Sequence, residues 1–133
     1  MQSEHLSNLH PGWVAGGWLA AIAVAAALYL AGVGLGLVAA DQGAVVGVSL
    51  AIGGGFFVGG LLVGMRWSDA PILHGIAMTF LSVVVWFVIL VFGGPADVEP
   101  VTMVLGLILL QLVSACAGAA VGRRMMLGGG GGL

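Results

Sequence analysis

The sequence predicts an all-α integral membrane protein: four transmembrane helices in one bundle, arranged as a tandem duplication of a helical hairpin. Three observations carry this. Hydrophobic residues make up 61% of the chain and charged residues 6%, too little polar surface for a water-soluble domain. The apolar residues fall into four runs, about 11–40, 43–65, 71–92 and 100–122, each meeting the ~20 residues a spanning helix needs. The segment Gly60-Leu-Leu-Val-Gly64-Met-Arg66 returns at an offset of 58 residues as Gly118-Ala-Ala-Val-Gly122-Arg-Arg124, and Gly17 loosely matches Gly75.

Residues 1–10 are polar and are expected to form a disordered tail. His5 and His10 lie on it and read as solvated side chains, not as metal ligands. Pro11 fits the first turn of a helix, where its missing N–H costs nothing. The first run is longer than a bilayer requires, so it tilts or leaves one end among the headgroups. A cleaved signal peptide has a shorter apolar core and a basic leader, which residues 1–10 lack. Gly32, Gly34 and Gly36 are expected to soften the outer end of this span. Asp41-Gln42-Gly43 then reads as a tight turn, with Asp41 as the next N-cap.

The second span is the centre of the bundle. Gly43, Gly47, Ala51, Gly55 and Gly59 recur every four residues, and Gly60 with Gly64 forms a second row beside them. In water each glycine would disfavour a helix by ~1 kcal/mol. In a bilayer the backbone must bond to itself, so the helix forms and the glycines become grooves for neighbouring helices. In the following turn Ser68 or Asp69 is expected to cap the third helix, Pro71 to open it, and Arg66 to pair with Asp69. The third span carries the bulk: Phe80, Trp86, Phe87 and Phe92. Large side chains opposite bare grooves predict close packing of the second and third spans. Residues 93–100 form a turn capped by Asp97 or Glu99, with Pro100 opening the fourth helix. That helix has its own small-residue row, Ser114, Gly118 and Gly122, and residues 125–133 are expected to be a flexible glycine-rich tail.

There is no lysine; the cations are Arg66, Arg123 and Arg124, and the anions Glu4, Asp41, Asp69, Asp97 and Glu99 mark the ends of the runs. The arginines share one side of a four-span topology. The positive-inside rule therefore places both termini and the 66–70 loop in the cytoplasm. Trp13, Trp18 and Trp67 would anchor that same interface. A net charge of −2 does not point to a nucleic-acid partner.

Few residues offer chemistry. His74, one turn inside the third span, is the candidate ligand for haem or chlorophyll, or a proton-responsive group. No second histidine in a span pairs with it across a cofactor. The expectation is therefore an imidazole bonded to a carbonyl, to Ser68 or to a headgroup, with no cofactor and no metal. Gln111 lies near the middle of the fourth span and is expected to bond across to Ser82, Thr79, Ser49 or Tyr29, a contact worth ~0.6–2 kcal/mol. Cys116 has no neighbouring cation to activate it and reads as a small core residue. The glycine runs lack the ending of a phosphate loop. With no nucleophile–base pair and no carboxylate pair, the chain does not read as an enzyme.

The segment GGFFVGGLLVGMRWSDAPILHG resembles the centre of the YrzE-like family of small four-span bacterial membrane proteins. Gly60, Gly64, Arg66, His74 and Gly75 carry the central likeness, and Gly118 with Gly122 carries its end, over about residues 43–124. The resemblance implies four spans in a bacterial plasma membrane and makes His74-Gly75 a structural corner. It implies no activity. The expected function is a non-enzymatic membrane protein that packs through small-residue helix faces, as a homo-oligomer or an accessory subunit of a membrane complex. The alternative is a small-solute transporter or pore formed by a dimer of the duplicated hairpins.

Overall fold

Four long helices dominate the computed structural model, which describes residues 5–38, 44–66, 69–93 and 101–129. They are α1 (Pro11–Gly34), α2 (Ala44–Arg66), α3 (Pro71–Phe92) and α4 (Val101–Gly128), preceded by a 3-10 turn at Leu6–Asn8. Each is long and apolar enough to cross a membrane. The chain is a multi-pass membrane protein with a four-helix bundle fold.

Proline opens α1 and α3. Because Pro71 takes the first turn, the N-cap of α3 is Ala70, which provides no side-chain bond. Asp69 stands one residue too early to cap it, and Ser68 lies outside the described residues, as do Gly43, Asp41, Trp67, Asp97 and Glu99. Three expected boundaries change. α1 stops at Gly34 rather than near 40: Gly36 takes a left-handed φ of 69°, and the N–H groups of Leu37 and Val38 turn back onto the Gly32 carbonyl at 2.9 and 3.2 Å. The glycines end this helix instead of softening it. α4 runs on past Arg123 and Arg124 to Gly128, because Met125, Met126 and Leu127 are good helix formers and the first residue that stops it is glycine. Residues 5–10 are not a loose tail: their turn docks against the bundle, and Leu9 packs on its core.

The helices surround the core in the cyclic order α1, α2, α4, α3, so α2 and α3 lie on a diagonal and scarcely touch. The expected docking of bulky α3 against α2 is therefore wrong. Phe80, Trp86, Phe87 and Phe92 are all largely exposed. Lipid solvates such side chains as well as protein does, so bulk is not driven inward in a membrane. Close backbone approach is what small residues permit, and it selects α2's real neighbours.

Two seams result. On one side, Gly55 and Gly59 face Gly17, Ala21 and Ala25 of α1, and a methyl on Gly59 would stand 2.6 Å from the Gly17 carbonyl oxygen. On the other, Gly60 meets the carbonyl of Ala115 and Gly64 that of Ala119, while Gly118 meets the carbonyl of Phe57 and Gly122 that of Leu61. Adding 58 to each α2 position gives its α4 counterpart, so these contacts exchange in pairs: Gly60–Ala115 with Gly118–Phe57, and Gly64–Ala119 with Gly122–Leu61.

The core occupies one end of the bundle. Phe56, Met78, His74 and Val63 are its largest fully buried side chains. Beyond Ser82 no residue of α3 is buried, and before Gln111 none of α4 is. α3 and α4 are therefore buried only toward the end where α2 finishes and α3 begins, the convergent end of the bundle, while α2 stays packed further along, with Gly47 against the Val38 side chain and Ala51 buried.

Candidate functional site

The polar side chains inside the bundle collect at this convergent end, where α1 and α3 run parallel. Two hydrogen bonds join them at one common register of 64 residues. The His10 backbone N–H donates to His74 Nε2 at 3.3 Å, and Trp18 Nε1 donates to Ser82 Oγ at 2.8 Å. His10 is the N-cap of α1, so its N–H has no partner within the helix and is available to the imidazole.

His74 is fully buried at 0% exposure. Its Nδ1 lies 2.7 Å from the Ala70 carbonyl oxygen, to which it donates. Nε2 is the acceptor for His10, so the neutral Nδ1–H tautomer satisfies both contacts at once. The two imidazoles stack, with ring centroids 6.4 Å apart and planes inclined by 12°, and His10 Nδ1 in turn meets the Asn8 carbonyl at 3.0 Å. His10, expected as a solvated tail residue, lies outside the spans in which a partner for His74 is expected, and the fold brings the two together. They do not face each other across a gap, and both nitrogens of His74 are already engaged. The expected carbonyl partner of His74 is Ala70.

Gly75 is a contact point inside α3 rather than a corner. A side chain there would stand 2.9 Å from the Cys116 backbone nitrogen, so the glycine admits α4. Cys116 is half-buried, with its thiol directed to the Ile72 carbonyl at 3.8 Å. Thr79 bonds back to the Gly75 carbonyl at 3.2 Å.

Gln111 is 5% exposed, and its Oε1 has no hydrogen-bond partner. The expected interhelical bond is absent at that oxygen; Ser82 Oγ accepts the Trp18 indole N–H, and Thr79 donates to the Gly75 carbonyl of its own helix. Ser82 does join two helices, but through the indole of Trp18, expected as an interfacial anchor. Trp18 is half-buried, whereas Trp13 is exposed and carries the Arg66 guanidinium 5.5 Å from its ring centroid. Arg66 thus lies over an aromatic face instead of forming the expected ion pair with Asp69. Of the remaining small residues, Gly47 meets the Val38 side chain, Ala51 is buried, and the Ser114 hydroxyl lies beside Gly53.

No family model, no curated protein and no solved structure matches the chain. The geometry is therefore what speaks to function. Among the described residues, no three His, Cys, Asp or Glu side chains converge. Two shallow grooves flank the first half of α2. The larger, ≈430 Å³, lies between α2 and α4 and is lined by Val45, Val46, Leu50 and Leu110, with Ser49 its one hydroxyl. The other, ≈220 Å³, lies between α1 and α2 beside Tyr29. Neither gathers the several convergent polar groups that fix a bound substrate.

Proposed function

We propose that the chain is a non-enzymatic membrane subunit of the bacterial plasma membrane. It assembles with a second copy, or with helices of a larger membrane complex, through the outer face of α1. The supporting observation is how the small residues are used. Gly55, Gly59, Gly60 and Gly64 are consumed within the monomer, so the α2 rows are not the partner surface that the sequence alone favours. The face of α1 turned away from α2 is different: Gly12, Gly16, Ala23 and Ala27 are exposed, and a side chain added at Gly12 or Gly16 would meet nothing within 4 Å. A bare small-residue face on a spanning helix is the surface on which another helix approaches closely.

The contact exchange between α2 and α4 supports a duplicated hairpin as the origin of the bundle. The three arginines support an orientation with both termini in the cytoplasm. The YrzE-like resemblance is in keeping with a small four-span protein and adds no activity.

The test is the mass of the detergent-solubilised protein. Gly16→Ile with Ala23→Ile is expected to reduce an assembly to monomer, or to lose co-purifying subunits, with helix content unchanged. An assembly that withstands both substitutions sinks the reading.

Gln111 favours a second reading, a small-solute transporter or pore formed by a dimer, since a buried oxygen without a partner can serve a passing donor. Solute uptake by the protein in liposomes, lost on Gln111→Leu, would establish it. Uptake indifferent to that change would remove Gln111 from any pathway.

A further inference from the structure

The N-terminal turn is fastened to the bundle by a contact that one proton can undo. The His10 N–H, at the N-cap of α1, donates to His74 Nε2 at 3.3 Å, and Leu9, one residue earlier, packs on the core. The other ring nitrogen of His74 donates to the carbonyl of Ala70, the N-cap of its own helix. That second bond is local, so it holds the imidazole in place whether or not the turn is docked. The fastening uses the Nε2 lone pair alone. A protonated imidazole donates from both nitrogens, and an Nε2–H would face the His10 N–H, donor against donor. The docked form therefore takes up no proton at Nε2, while the released form leaves the lone pair open to one. By linkage, acid shifts the population toward release and base toward docking. The His10 ring, stacked 6.4 Å from that of His74, adds repulsion when both are charged. The other titratable or charged groups at this end come from every element. The turn brings exposed His5, α2 brings Arg66 over Trp13, and exposed Asp69 precedes α3. From α4 come Cys116, its thiol at the Ile72 carbonyl, and then Arg123 and Arg124.

We propose that His74 is a proton-operated latch for the N-terminal turn. In its neutral Nδ1–H form it holds residues 5–10 against the bundle, and when Nε2 takes a proton it lets them go. The docking of Leu9 on the core is then set by the pH on the side of the membrane where the 66–70 loop lies.

A nitroxide on Ser7→Cys, in the Cys116→Ser background of the full chain in lipid nanodiscs, reads docking without itself titrating. Ser7 is exposed, so the docked turn can carry the label. Spectra are compared at about pH 8 and about pH 5, which bracket the usual titration of an imidazole. An immobilised component is expected at the higher pH, lost reversibly at the lower in favour of the narrow lines of a free segment. His74→Gln offers the His10 N–H an amide oxygen that takes no proton, so the immobilised component should persist at both. A spectrum unchanged by pH in the His74 protein overturns the proposal, as does a transition that survives His74→Gln. If that variant is mobile at both pH values or loses its helices, the nitrogen-15 shifts of His74 in the unsubstituted protein decide. A change from the Nδ1–H tautomer to imidazolium in step with the label's release upholds the latch. A ring that stays neutral, or titrates out of step with the release, overturns it.

Discussion

Gly60 lies against the carbonyl oxygen of Ala115 with no room between them for a methyl group. Its 58-residue counterpart, Gly118, bears the same relation to Phe57, so α2 and α4 approach on equal terms from both sides. The opposing atoms are backbone, which cannot rotate aside as a side chain does. Alanine at either glycine is expected to destabilise the bundle by ~1–3 kcal/mol, the usual cost of overpacking. This outweighs the at most ~1 kcal/mol that alanine gains as a helix former. Gly106→Ala, with nothing within 4 Å of the added methyl, should be neutral or stabilising. Reversible unfolding in mixed micelles reads both signs, and a shared sign would mean that the seam is not closed as described.

Trp18 Nε1 donates to Ser82 Oγ at 2.8 Å, a side-chain tie between α1 and α3. A double-mutant cycle with Trp18→Phe and Ser82→Ala should give a coupling of ~0.6–2 kcal/mol. Ser82→Ala alone should cost more in the wild-type background than in the Trp18→Phe background, because only the former strands an indole N–H. A coupling indistinguishable from zero would mean the bond does not persist in the membrane.

For Gln111 the expected sign is opposite. Its Oε1 is buried without a partner, and such a group costs ~1–3 kcal/mol. Gln111→Leu, similar in volume, should therefore stabilise the protein or leave it unchanged. A loss of more than ~1 kcal/mol would show that the amide has a partner after all.

The imidazole of His74 is held at both nitrogens, donating from Nδ1 and accepting at Nε2. Nitrogen-15 chemical shifts near neutral pH should report the Nδ1–H tautomer. His74→Phe removes both contacts and should cost ~1–3 kcal/mol, while the exposed His5 changed to alanine should cost nothing measurable. An Nε2–H tautomer would contradict the docking of His10.

The four spans were legible because length and hydropathy alone define a crossing, and Pro11 and Pro71 mark helix starts whatever their context. The glycine rows were legible as contact faces, but not their partners. Gly55 and Gly60 point to different helices, and nothing local in the sequence says which. Reading the bulk of Phe80 and Trp86 as a complement to those grooves borrowed a rule from water, where large apolar residues must be hidden. The pairing of His10 with His74 joins a helix cap to a side chain 64 residues away, and only the parallel register of α1 and α3 creates it. The end of α4 was misplaced because Arg123 and Arg124 look like a boundary, yet charge stops a span and not a helix.

The four crossings, and the proposed orientation with both termini in the cytoplasm, are tested most directly by site-directed labelling. Single cysteines replacing Gln42, Ser68 or Ala96 in a Cys116→Ser background are exposed to a membrane-impermeant thiol reagent outside intact cells. Labelling is expected at Gln42 and Ala96, with protection at Ser68 until the cells are opened. Labelling at Ser68 alone would invert the orientation, and labelling at Ser68 together with only one of the others would contradict four spans.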